Sequence, residues 1–168
     1  MGDRTPIQVV IYSCPPDLVA AVLDTLETYD IYGGAHSPNS LADPRLTELE
    51  LGVCCSRIES SVGSSDEIAD EFPDQAAWKV WEDPAYEHLG QLHLHHPDLG
   101  RFSAECDAYG RAVFTSLEVD RLAAKHGSDL VQLRHETGLT WEQALEALAA
   151  ANNGIVLPRE PSPGSAPL

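Results

Sequence analysis

Between residues 76 and 115 the chain runs through short stretches of alternating apolar and polar side chains, broken by two turn tetrapeptides. The stretches are AAWKVWE, LGQLHLHH and RFSAEC; the turns are Pro97-Asp98-Leu99-Gly100 and Asp107-Ala108-Tyr109-Gly110. Alternation with a period of two marks strands with two distinct faces. Short turns ending in glycine join such strands as antiparallel hairpins. A β-meander is therefore expected at the centre of the fold, with RAVFT closing its sheet.

The flanking segments add helices and more strands. IQVVIYS, residues 7–13, is apolar on both faces and reads as an interior strand. The stretch after Pro15-Pro16 carries Leu18, Val22, Leu26 and Tyr29 at helical spacing and ends at Gly33-Gly34. Residues 34–45 are a loop by composition. LTELELGVCC alternates and reads as one half-buried strand, with Leu49, Leu51, Val53 and Cys55 inward. Ser64 and Glu67 match a capping box for a short helix, DEIADEF. Helices are also expected from Thr115 to about His126, after Ser128, and from Thr140, with Gly127 and Gly138 as stops.

The fold class that follows is α+β. It is a mixed, mainly antiparallel sheet of about six strands with an N-terminal β-α unit, a central meander and C-terminal helices. The helices cover one face or divide between both. One domain is expected over 1–157, with possible sub-lobes 1–59 and 76–157. The Pro- and Ser-rich residues 158–168 read as a disordered tail. A chain of 168 residues buries about 70% of its unfolded surface, so neither disulfide nor metal is needed for a core. No apolar run approaches a membrane span, and MGDRTPIQVV lacks the features of a secretory signal. The expected location is the cytoplasm, with Cys14, Cys54, Cys55 and Cys106 reduced.

Charge is the least average property. Ten basic residues face 27 acidic ones, for a net charge of −17. Such a surface repels a phosphate backbone, which argues against direct nucleic-acid binding. The acids concentrate in 59–107, where Lys79 and Arg101 are the two opposing bases. Asp66, Asp70 and Asp74 recur every four residues, as do Glu67 and Glu71. On a helix those like charges lie one above another and destabilise it. A chain that tolerates them is expected to use their field on a basic protein partner, one form being a DNA-mimic-type inhibitor. Glu82, Asp83 and Trp81 complete the expected partner surface, with Trp81 as its aromatic anchor. The bland alternative is a solubilising face.

Histidines supply the competing chemistry. Four of seven fall between residues 88 and 96. His93 and His95 share one strand face, opposite Leu92 and Leu94. With Glu105 from the next strand they form a candidate zinc or iron site, the set a small metal-binding protein or metal-dependent enzyme would need. The bland alternative leaves both histidines on a solvated face. Charging of the cluster below about pH 6.5 would also weaken the local negative field. Cys106, His95 and Asp98 have the residue types of a thiol nucleophile, base and orienter, but alternation turns Cys106 toward the core.

DLVQLRHETGLTWEQALEALAAANNG has the outline of a helix-turn-helix, yet its second helix carries Glu142 and Glu146 and no base, which is wrong for a DNA groove. Its glycine-containing turn and Ala-Leu-rich second helix ending in Asn-Asn-Gly also resemble a ubiquitin-associated-type helical module. That resemblance covers these 26 residues, and no function is carried over from it. The reading that results is a non-enzymatic acidic interaction protein, with no cofactor required; the metal protein using His93 and His95 is the alternative.

Overall fold

The computed structural model describes residues 4–33 and 45–160. The expected loop at 34–45 therefore lies, save for its last residue, outside the described residues, as do residues 161–168.

The fold is α+β. Strands β1 (Arg4–Ser13), β3 (Cys54–Ser61), β4 (Ala77–Glu82), β5 (Gly90–His96) and β6 (Gly100–Cys106) form one sheet in the order β3-β1-β4-β5-β6. Every pairing in it is antiparallel. β2 (Glu48–Glu50) and β7 (Val156–Pro158) pair as a separate ribbon. Strand β1 is interior, as its two apolar faces require. Its pairing with β3 is irregular between Thr5 and Ile7, at Pro6, which has no N–H to give the ladder.

The sheet is covered on both sides. On one face Ile7, Val9, Ile11, Trp78 and Val80 pack against α1 (Val19–Thr28), α2 (Ser64–Glu71) and the ribbon. On the other, Leu92, Leu94, Ala77 and Cys106 pack against Trp141 and Leu145 of α5 (Leu139–Asn152). Each fully buried large apolar side chain contributes about 1.5–3 kcal/mol. The helices α3 (Ser116–His126) and α4 (Leu130–Glu136) bury no residue; α3 packs on α4, and α4 on α5.

Several boundaries differ from the sequence reading. LTELELGVCC is not one strand: Gly52, at φ +80, separates β2 from β3, although Leu49, Leu51 and Cys55 are buried as expected. RAVFT adds no strand; Ala112 makes only a single bridge to Cys106. The box at Thr115 and Glu118 forms, with both bonds present. The cap of α4 is Asp129, not Ser128, and α5 starts one residue ahead of Thr140, from Gly138 at φ +81. At the start of the expected tail, Pro158 ends β7, and the Arg159 guanidinium reaches Asp24 at 2.6 Å and Glu27 at 2.7 Å.

Candidate functional site: the acidic helix and the histidines beneath it

Helix α2 turns Ser65, Ile68, Ala69 and Phe72 onto the sheet, a spacing of three to four that leaves the remaining positions to solvent. Those positions carry Asp66, Glu67, Asp70 and Glu71, and Asp74 follows just beyond the helix; all five are exposed. Their mutual repulsion is met from outside the helix. Arg101 of β6 bonds to Asp70 and lies 3.6 Å from Asp66. The Tyr29 hydroxyl donates to Glu71 at 2.7 Å, and this bond pushes the phenol pKa up to about 12.

Glu82 and Asp83 stand apart from this surface. Glu82 is 1% exposed, and its carboxylate accepts the backbone N–H of Gly63 at 3.1 Å and of Ser65 at 3.3 Å. It therefore caps α2 from strand β4, where a negative charge meets the positive end of the helix dipole. The expected Ser64–Glu67 box does not form; no side chain within the helix caps it, and Ser64 instead donates to the Ser61 carbonyl at 2.7 Å. Asp83 accepts from Gln8 at 3.1 Å, and its backbone is held by Thr5 and Pro6. Burial raises its pKa, against the lowering effect of the Gln8 bond. Trp81 lies on the opposite sheet face, packed with the α5 cluster, and the Lys79 ammonium sits 5.3 Å from its ring centroid. The structure thus brings Asp66, Glu67, Asp70, Glu71 and Asp74 together and separates Glu82, Asp83 and Trp81 from them.

The two strand histidines are buried under α2 rather than solvated, at 1% and 5% exposure for His93 and His95. Their Nδ1 atoms meet opposite kinds of partner. His93 Nδ1 lies 3.1 Å from an Arg101 nitrogen, which can only donate, and 2.8 Å from the Ser103 hydroxyl. Nδ1 is then the acceptor, and the proton sits on Nε2, 3.3 Å from Asp66. His95 Nδ1 lies 2.9 Å from the Ala76 carbonyl, which can only accept. Here Nδ1 carries a proton, and Nε2 lies 3.8 Å from Asp74. Burial, followed by the Arg101 charge, lowers the pKa of His93, against the carboxylates of Asp66 and Asp70.

Glu105 is exposed on β6 opposite Gln91, while His93 pairs with Ser103 and His95 with Arg101. Among the described residues, no three of His, Cys, Asp and Glu gather into a group that could hold a metal. Cys106 is fully buried on the other face from His95, and burial pushes its thiol up to about 12, so a thiolate at neutral pH is not available there.

Beside this cluster a cleft of about 380 Å³ opens between the end of α2 and the β5–β6 turn. Phe72, Trp78 and His95 line it with Asp70, Asp74 and Arg101. The Trp78 and His95 rings stack at 5.2 Å. Sequence reasoning did not find Arg101 as the cation of this site. Its register opposite His95 was derivable from the hairpin; the docking of α2 on that face was not. Compared with protein-family models, curated proteins and solved structures, the chain matches none.

Proposed function

We propose that this chain is a non-enzymatic interaction protein that presents the exposed face of α2 to a basic protein partner in the cytoplasm. The observation that carries the reading is the set of five exposed carboxylates on and just past one short helix, opposed by Arg101 and held in place by a buried cap. Rigid display lowers the entropy lost on binding. The four free cysteines, three of them buried, suit a reducing compartment. No described helix is long and apolar enough to cross a membrane.

The length of the stripe narrows the partner. Eight residues at about 1.5 Å each span roughly 12 Å. A duplex carries about seven charges over that distance. Five carboxylates, two of them engaged by Arg101, favour a short basic segment over a groove that tracks many phosphates. The DNA-mimic form is thus the less favoured version of the same proposal.

Capture from host extract at about 50 mM and about 500 mM salt tests it. The expected result is a basic protein retained only at low salt and lost from a variant with Glu67→Gln, Asp70→Asn, Glu71→Gln and Asp74→Asn together. Retention that ignores both salt and these substitutions would refute it.

A further inference from the structure

Strand β6 is one edge of the main sheet. The chain returns along it only at the Cys106–Ala112 bridge, where the Val113 N–H donates to the Glu105 carbonyl at 2.9 Å. Alternate residues of a strand direct their backbone groups to the same edge, so those of Ser103 and Arg101 face outward with those of Glu105. Neither Ser103 nor Arg101 has a backbone partner on that side among the described residues. A groove of about 290 Å³ lies against this edge. Phe102, Ala104, Val113 and Phe114 give it apolar walls. Its charged groups are Glu105, Glu118 and Glu136, with no base among the residues that line it.

The acids of the groove are only partly engaged. Glu118 gives its Oε2 to Thr115, and Glu136 gives its Oε1 to Lys125 and His126; the other oxygen of each has no donor among the described residues. A row of outward N–H and C=O groups at strand spacing is matched by one kind of ligand, an extended peptide backbone. The side chains of such a strand would alternate between two settings. One set lies beside Arg101, Ser103 and Glu105, on the side where Arg101 already reaches Asp66 and Asp70. The other set lies beside Phe102 and Ala104, in the apolar part of the groove. Neighbouring strands are about 4.8 Å apart, a distance that a lysine stem covers. The opposite edge, β3, offers no equivalent: Ser56 is bridged by Tyr32, and Arg4 and Arg57 border the hollow beside it.

We infer that β6 receives an extended segment of the basic partner as an added strand of about five residues, with basic side chains toward α2 and apolar ones toward Phe102 and Phe114. The inference rests on the proposed function and names the form in which that partner is held.

The probe is the peptide Lys-Val-Lys-Val-Lys-Val-Lys, read by calorimetry and by amide hydrogen exchange of the full chain at about 50 mM salt. It is expected to slow exchange at the Ser103 and Arg101 amides and to leave Ile58, on the opposite edge strand, unchanged. Lys-Lys-Lys-Lys-Val-Val-Val has the same charge without the alternation and is expected to bind about tenfold more weakly or worse. Glu105→Lys, at an exposed position of β6, is expected to weaken the alternating peptide about tenfold or more, and Glu48→Lys, the same change on the distant ribbon, far less. Binding that leaves Ser103 and Arg101 unprotected but is lost with Glu67→Gln, Asp70→Asn, Glu71→Gln and Asp74→Asn together overturns the added strand while the α2 reading stands. Protection at β6 that is unaffected by those four substitutions upholds the added strand and removes the α2 reading. Equal binding of the two peptides overturns the added strand. So does a dimer of the chain alone in which Ser103 and Arg101 are already protected, because the edge would then belong to a second copy.

Discussion

Glu82 and Asp66 are the same chemistry in two settings, and sequence alone does not distinguish them. Both are acids in the negative segment, but Glu82 is folded inward as the cap of α2 and Asp66 is left in water. Glu82→Gln keeps one acceptor and is expected to lower stability by about 1 kcal/mol; Glu82→Ala loses both backbone partners and is expected to cost roughly 2 kcal/mol, read from urea midpoints. An unchanged midpoint for the alanine variant would show that the cap is dispensable. His93 gives the pH dependence. Its folded pKa is lowered, so the unfolded chain takes up its proton first. The stability His93 contributes is full above the ordinary value of 6.5 and declines as pH falls through it toward the depressed folded value. Urea midpoints across pH 4–8 are expected to fall on the acid side, and His93→Gln is expected to flatten that part of the curve. Alternation placed His93 and His95 on one face and Cys106 on the other. It could not say that α2 would lie over that face, because the contact joins segments distant in sequence.

The elements most legible in the chain are those whose signals are local. The three meander strands, the strand at 7–13 and the Thr115 cap each rest on residues within a few positions of one another. Legibility failed where a turn interrupts an apolar pattern without altering it: Leu49, Leu51 and Cys55 keep their alternation through Gly52, although the chain changes sheets there. RAVFT has strand-forming residues but finds only one bridge. Gly138 shows how tightly one junction is built. It joins α4 to α5 at φ +81, and a Cβ there would lie 2.4 Å from a Phe102 ring carbon. Gly138→Ala therefore combines backbone strain with overpacking, for an expected loss of about 2 kcal/mol or more. A variant as stable as the parent would mean that the α4–α5 pair shifts freely off the sheet. The helix-turn-helix outline is present here, yet Glu142 of α5 is engaged by Lys79 at 3.4 Å, and the chain leaves α5 into β7.

Across the whole molecule the excess of 17 negative charges is spread more widely than the middle segment alone suggests. Of the acids in 59–107, Glu59 pairs with Arg4 and Asp107 with Arg111, while Glu82 turns inward and Asp83, half-buried, accepts from Gln8. What remains concentrated is the face of α2, with Asp74 at its end. Net charge alone would attract any basic protein, so a specific surface has to be separated from a general field. Two variants with the same charge make that separation: one with Glu67→Gln, Asp70→Asn, Glu71→Gln and Asp74→Asn, the other with Glu48→Gln, Glu59→Gln, Asp120→Asn and Glu146→Gln, all at exposed positions. Their affinities for the protein captured from host extract are then compared at equal salt. The account expects the first variant to lose about tenfold or more while the second stays near the parent. Equal losses in the two would contradict it, because the attraction would then belong to the charge of the molecule and not to α2.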